Sequence, residues 1–145
     1  MSEINGNGLM RSGETLIKLA KHKVDSVQKL LAAAQKIHAD LIKKQEDLKN
    51  NLDRERVIAE NNPAMASDFA QYKISMDGQQ ANLLASLTGV EEEIRTLGEE
   101  LRIAFEEQKK FETLEERRQA HAAEQKKARE QKAMDEFAII RSKRA

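Results

Sequence analysis

Apolar residues recur along this chain at alternating steps of four and three. Ala20, Val24, Val27, Leu31, Ala34, His38, Leu41, Gln45, Leu48 and Leu52 keep that spacing without a slip, and eight of the ten are apolar. Such spacing is the heptad repeat that lays one helix along another. Leu16, Leu30 and Ile37 widen the stripe on its flank. The pattern predicts a helix over about 13–61, with Ser12 placed to cap it and Glu14 in its first turn. Residues 1–12 are polar and glycine-bearing and read as a disordered tail.

The run NNPAMASD at 61–68 interrupts the repeat. Asn61 or Asn62 can end a helix, and Pro63 suits the first turn of the next. A second seam follows at the same spacing: Met76, Gln80, Leu83, Leu87, Val90, Ile94, Leu97, Leu101, Ala104, Gln108 and Phe111. It predicts a second helix over about 64–142. Gly78, Gly89 and Gly98 fall inside it and each costs about 1 kcal/mol relative to alanine. The seam holds its register across all three, which favours one helix with soft points. Glu91 with Arg95, and Glu106 with Lys110, are spaced four apart as surface ion pairs.

Two seams joined by one tight turn predict an all-α fold. It is an antiparallel two-helix coiled-coil hairpin with a longer, overhanging second helix, forming a single domain over 13–145. Folding back near 62 sets Leu16 opposite roughly residue 109, where the second seam fades. Beyond it the heptad positions hold Glu115, Arg118, Ala122, Gln125, Arg129 and Lys132. The second helix is thus expected to run on unpaired for about 45 Å at about 1.5 Å per residue. It ends in KAMDEFAIIRSKRA, an apolar cluster of Met134, Phe137, Ile139 and Ile140 flanked by Arg141, Lys143 and Arg144. Folding the hairpin does not bury that cluster, so it reads as a docking surface.

Composition narrows the function. With 34% charged residues, 3% aromatics and one proline, there is little bulk for a compact core, and the mix suits long helices. Lys plus Arg balance Asp plus Glu at 25 each, so net charge gives no prior for nucleic acid. The 116–145 stretch carries nine basic and five acidic residues, intermixed and with one aromatic, whereas a nucleic-acid surface asks for a cleaner basic face. Residues 91–107 are acidic, seven against two, an asymmetry that suits entry into a charged pore or ring. The absence of cysteine excludes disulfides, thiolate nucleophiles and cysteine zinc sites. No apolar run approaches a membrane span and the first residues lack a signal core, so a cytoplasmic protein is expected.

No constellation for catalysis emerges, and a non-enzyme without cofactor is expected. His22, His38 and His121 are far apart; His22 and His121 read as solvated, and His38 as a polar register marker on the seam. There is no GxxxxGK[ST] phosphate loop. The glycines of GNG at 6–8 belong to the tail, and EEE at 91–93 reads as a solvated face.

Three stretches resemble one known family. ETLIKLAKHKVDSVQKLL at 14–31, KKFETLEERRQAHAA at 109–123 and EQKAMDEFAIIRSKR at 130–144 look like the flagellar export protein FliJ, the central-stalk component of the flagellar type III export apparatus. The piece MDEFA is the most specific. The resemblance implies an antiparallel two-helix coiled coil, similar to the central stalk of rotary ATPases, at the cytoplasmic face of the inner membrane. It implies three partners: the hexameric flagellar export ATPase, the export-gate membrane protein, and chaperones of late export substrates. Met134, Phe137, Ile140, Arg141, Lys143 and Arg144 would dock in the ATPase. The gate-binding positions correspond to Lys44, Leu48, Asn51, Glu55, Tyr72 and Met76, of which Leu48, Tyr72 and Met76 keep apolar or aromatic character. Two alternatives stand beside this reading: a structural coiled-coil spacer, and the equivalent stalk of a virulence-type secretion system. A spacer needs no apolar cluster beyond its paired region; a docking stalk does.

Overall fold

The computed structural model describes the backbone over residues 6–144 and side chains over 13–144. It is all-α: helix α1 spans Gly6–Asn61, a 3₁₀ turn spans Pro63–Met65, and helix α2 spans Ala66–Arg144. At 79 residues against 56, α2 is the longer. There is no strand among the described residues, and none of the helices is long and apolar enough to cross a membrane. The chain is an antiparallel two-helix hairpin.

The reversal is built at Asn62, whose φ of −139° and ψ of 89° leave the helical region. Its N–H donates to the Ala59 carbonyl at 3.3 Å, and its own carbonyl accepts the Met65 N–H at 3.0 Å. Pro63 follows, where its missing N–H removes no helical bond. The backbone is helical from Gly6, ahead of the start near residue 13 that the capping pattern suggested. Ser12 therefore lies inside α1. Residues 1–5 of the expected tail fall outside the described residues.

Two compact units divide the chain. The first holds residues 25–102, including the turn. Its core is a narrow seam: Val27, Ala34 and Leu97 are buried together, with Leu31, Ile94 and Leu101 packed against them. Leu87 is buried as well. These are the positions the heptad assigns, because only residues on the facing stripe of each helix lose their water. Towards the turn the seam loosens. Leu41, Gln45, Leu48 and Leu52 on α1, and Met76 and Leu83 on α2, are half-buried. Gln80 departs from the seam reading and is exposed; an amide gains little from burial, and water keeps it solvated where the packing is loose. His38 sits half-buried on the seam, with Nε2 3.2 Å from Glu91 Oε1. Glu91, read as part of a solvated run, thus ties the two helices of this unit together.

The second unit combines residues 1–24 with 103–145. Ala20, Val24 and Ala104 are its buried apolar residues, and Gln108 and Phe111 are half-buried. The repeat extends further than the apolar residues do. On α1, Ile17 and Gly13 continue it backwards and are half-buried. On α2, Glu115 and Arg118 continue it forwards, and Glu115 is only 8% exposed.

Gly78, Gly89 and Gly98 do not break α2. A methyl group at any of them would meet nothing within 4 Å, so they face open space.

Candidate functional site

The place where burial ends on α2 is built from three residues. Gly13 lies directly against the Glu115 carboxylate; a Cβ there would fall 2.9 Å from Glu115 Cδ and closer still to Oε2. Glycine at this position is therefore what admits a long acidic side chain to the seam. Arg118, one turn on, donates from Nη2 to Glu115 Oε1 at 2.7 Å and from Nε to Oε2 at 3.1 Å. The fork matches the carboxylate, a bidentate geometry that neutralises the charge the seam has taken in. Gln119 Nε2 adds a third donor at 3.3 Å. The hydrogen bonds from Arg118 hold the Glu115 carboxyl below the usual carboxylate range, although burial pulls the other way. Glu115 raises the Arg118 guanidinium in turn, with Glu14 contributing.

Past Arg118 every described side chain is exposed. Met134 and Phe137 show 67% and 66% of their surface, and Ile139 and Ile140 more than half. Met134, Phe137, Ala138 and Arg141 lie together on one open, convex face of the helix. Their spacing of three, four and seven places them on a single face. Ile140 borders that face on the Phe137 side, while Ile139 falls on the other side of the helix. Lys143 and Arg144 are exposed in the last turn. The six residues expected to dock are thus grouped on one helical segment, free of any packing role.

The residues expected to bind the export gate are not gathered into one place. Leu48 lines a groove with Gln45, Lys49, Leu52 and Gln80. Tyr72 lines a different groove at the turn, with Glu55, Ile58, Met65, Asp68 and Phe69. Met76 lines neither and is half-buried on the seam. The hydrophobic wall of the turn groove, Ile58, Met65 and Phe69, was missed by the sequence reading. Its signal is the flank stripe: Ile58 stands at the same heptad position as Leu16, Leu30 and Ile37.

Among the described residues no three or more His, Cys, Asp or Glu side chains gather as a metal site, and no buried side-chain nitrogen or oxygen lacks a hydrogen bond. The described residues offer surfaces: an apolar, basic helix face, and grooves at and near the turn.

A family model described as "Flagellar FliJ protein" matches residues 12–145. No significant match is found among curated proteins or among solved structures.

Proposed function

The chain belongs to the flagellar FliJ protein family, and from that premise we propose that it is the central stalk of the flagellar export apparatus. Membership makes it a component of flagellum assembly and protein export, in a family of structural, non-enzymatic parts. The finer reading is that its C-terminal helix enters the ring of the hexameric export ATPase and promotes ring assembly and ATP hydrolysis. The turn region then contacts the export-gate membrane protein, and chaperones of late export substrates are escorted on the same stalk. Its place is at the cytoplasmic face of the inner membrane.

One observation carries the reading. Met134, Phe137, Ile140, Arg141, Lys143 and Arg144 stand exposed on a helix whose seam contacts have already ended at Glu115 and Arg118. A spacer gains nothing from such a patch and is put at risk of aggregation by it. A docking helix needs a few large apolar anchors ringed by charge, which is the composition of interaction hot spots. The match to a flagellar family also favours the flagellar stalk over its virulence-type counterpart.

Binding of the purified export ATPase to wild-type and Phe137→Ala chains tests this. Loss of a central aromatic anchor is expected to weaken binding by about tenfold or more, the effect of removing 1.4 kcal/mol or more. Unchanged affinity for both Phe137→Ala and Ile140→Ala removes the patch from the interface. For the gate, Tyr72→Ala is expected to weaken binding of the soluble part of the gate protein while leaving ATPase binding intact.

A further inference from the structure

The turn groove and the C-terminal helix face complement each other in both shape class and charge. The groove has an apolar wall of Ile58, Met65, Phe69 and Tyr72, and its only charged lining residues are Glu55 and Asp68. Ile58 and Met65 each leave more than two-fifths of their surface to water. The helix face is apolar through Met134, Phe137 and Ala138, and its only charged lining residue is Arg141; Arg144 follows Phe137 by seven residues and joins that side of the helix. One surface offers an acidic, open groove and the other a basic, protruding ridge. Opposite charges at the rim with apolar surface at the centre is the arrangement that gives an interface its orientation.

We propose that the C-terminal helix of one copy seats in the turn groove of a second copy, so that the chain self-associates head to tail. Phe137 and Met134 cover Ile58, Met65 and Tyr72, and Arg141 and Arg144 meet Glu55 and Asp68. The two surfaces are different patches of one chain, so the contact is heterologous. A pair retains one free groove and one free ridge, so association adds further copies. The contact is small and rimmed by exposed charge, which makes it weak and salt-sensitive. It buries the same helix face that the ATPase is proposed to take, so the assembly is a reservoir that keeps an aggregation-prone patch covered until a tighter partner displaces it.

Sedimentation equilibrium on the full chain tests this directly. At about 0.1–1 mM, the range of a weak small interface, the weight-average mass is expected to rise with concentration above the 16.4 kDa of one chain and to fall back in high salt. Two variants invert the charges: Arg141→Glu with Arg144→Glu on the ridge, and Glu55→Lys with Asp68→Lys in the groove. Each alone is expected to stay at the mass of one chain, with helicity by circular dichroism unchanged. Mixed together they restore association, because the acidic ridge of the first fits the basic groove of the second. A wild-type mass that stays at 16.4 kDa throughout, variants that associate like wild type, or a mixture that stays monomeric each overturns the proposal. A chain that is monomeric yet still binds the ATPase defeats this inference and leaves the stalk reading standing.

Discussion

Gly13 and Gly98 show how the same residue type carries opposite consequences in one fold. Gly98 faces open space inside a continuous helix. Alanine there gains helix propensity and narrows the unfolded ensemble, so Gly98→Ala is expected to raise stability by about 0.5–1 kcal/mol in urea melts. Gly13 has Glu115 against it. The carboxylate is hydrogen-bonded by Arg118 and Gln119 and is not free to swing away without losing those bonds. Gly13→Ala is therefore expected to show none of that gain, and equal stabilisation at both sites would contradict the packing described. Glu115 also sets a pH dependence. Its folded carboxyl lies below the ordinary value of 4.5, so its contribution is fully present above that value. It is lost as pH falls through the lowered one. Melting temperature is expected to drop on acidification below about pH 4.5, and Glu115→Gln is expected to flatten part of that drop. The chain's other carboxylates, which titrate in the same range, leave the remainder.

At the scale of the helices, stability is unevenly spread along the hairpin. Buried residues in the turn-containing unit lie at Val27, Ala34, Leu87 and Leu97, while between Leu41 and Leu83 nothing is fully buried. Amide exchange is expected to be slowest around Val27–Ala34 and Leu87–Leu97 and faster on both sides of the turn, since opening there exposes less apolar surface. Uniform protection along both helices would contradict this. Leu31→Asp or Ile94→Asp places an unpaired charge in the packed part of the seam and is expected to unfold the hairpin at ordinary temperatures. Most of this level was legible in the sequence. All ten expected seam positions on α1 are at least half-buried, as are all those on α2 except Gln80. Periodicity reports which side of a helix loses water, and an antiparallel pair needs little more. What it did not report was the polar end of the seam. An apolar stripe is the signal, so Glu115 and Arg118, though on the repeat, read as its unpaired continuation, and Gly13 left no mark, although all three sit in perfect register. The partner choice of Glu91 was equally hidden. His38 lies 53 residues away, and spacing within one helix says nothing of contacts across the pair. The turn groove escaped for the same reason: Ile58 and Tyr72 meet only through the reversal at Asn62 and Pro63.

For the whole molecule, the hairpin separates what folds from what binds. Its seam contacts end at Glu115 and Arg118, and the segment that carries Met134, Phe137, Ile139 and Ile140 takes no part in packing. Phe137→Ala and Ile140→Ala are therefore expected to leave the melting temperature within about 1–2 °C of wild type, as surface substitutions do. A large loss of stability in either would mean that the patch is core. The central claim is that this segment acts on the export ATPase, and it is tested most directly by ATP hydrolysis. The purified flagellar export ATPase is assayed alone, with the full chain, and with a chain truncated after Gln131. The account predicts stimulation by the full chain and none by the truncated one, with both chains equally helical and equally resistant to heat. Hydrolysis that is unchanged by saturating full chain, or stimulated to the same extent by the truncated one, would contradict it.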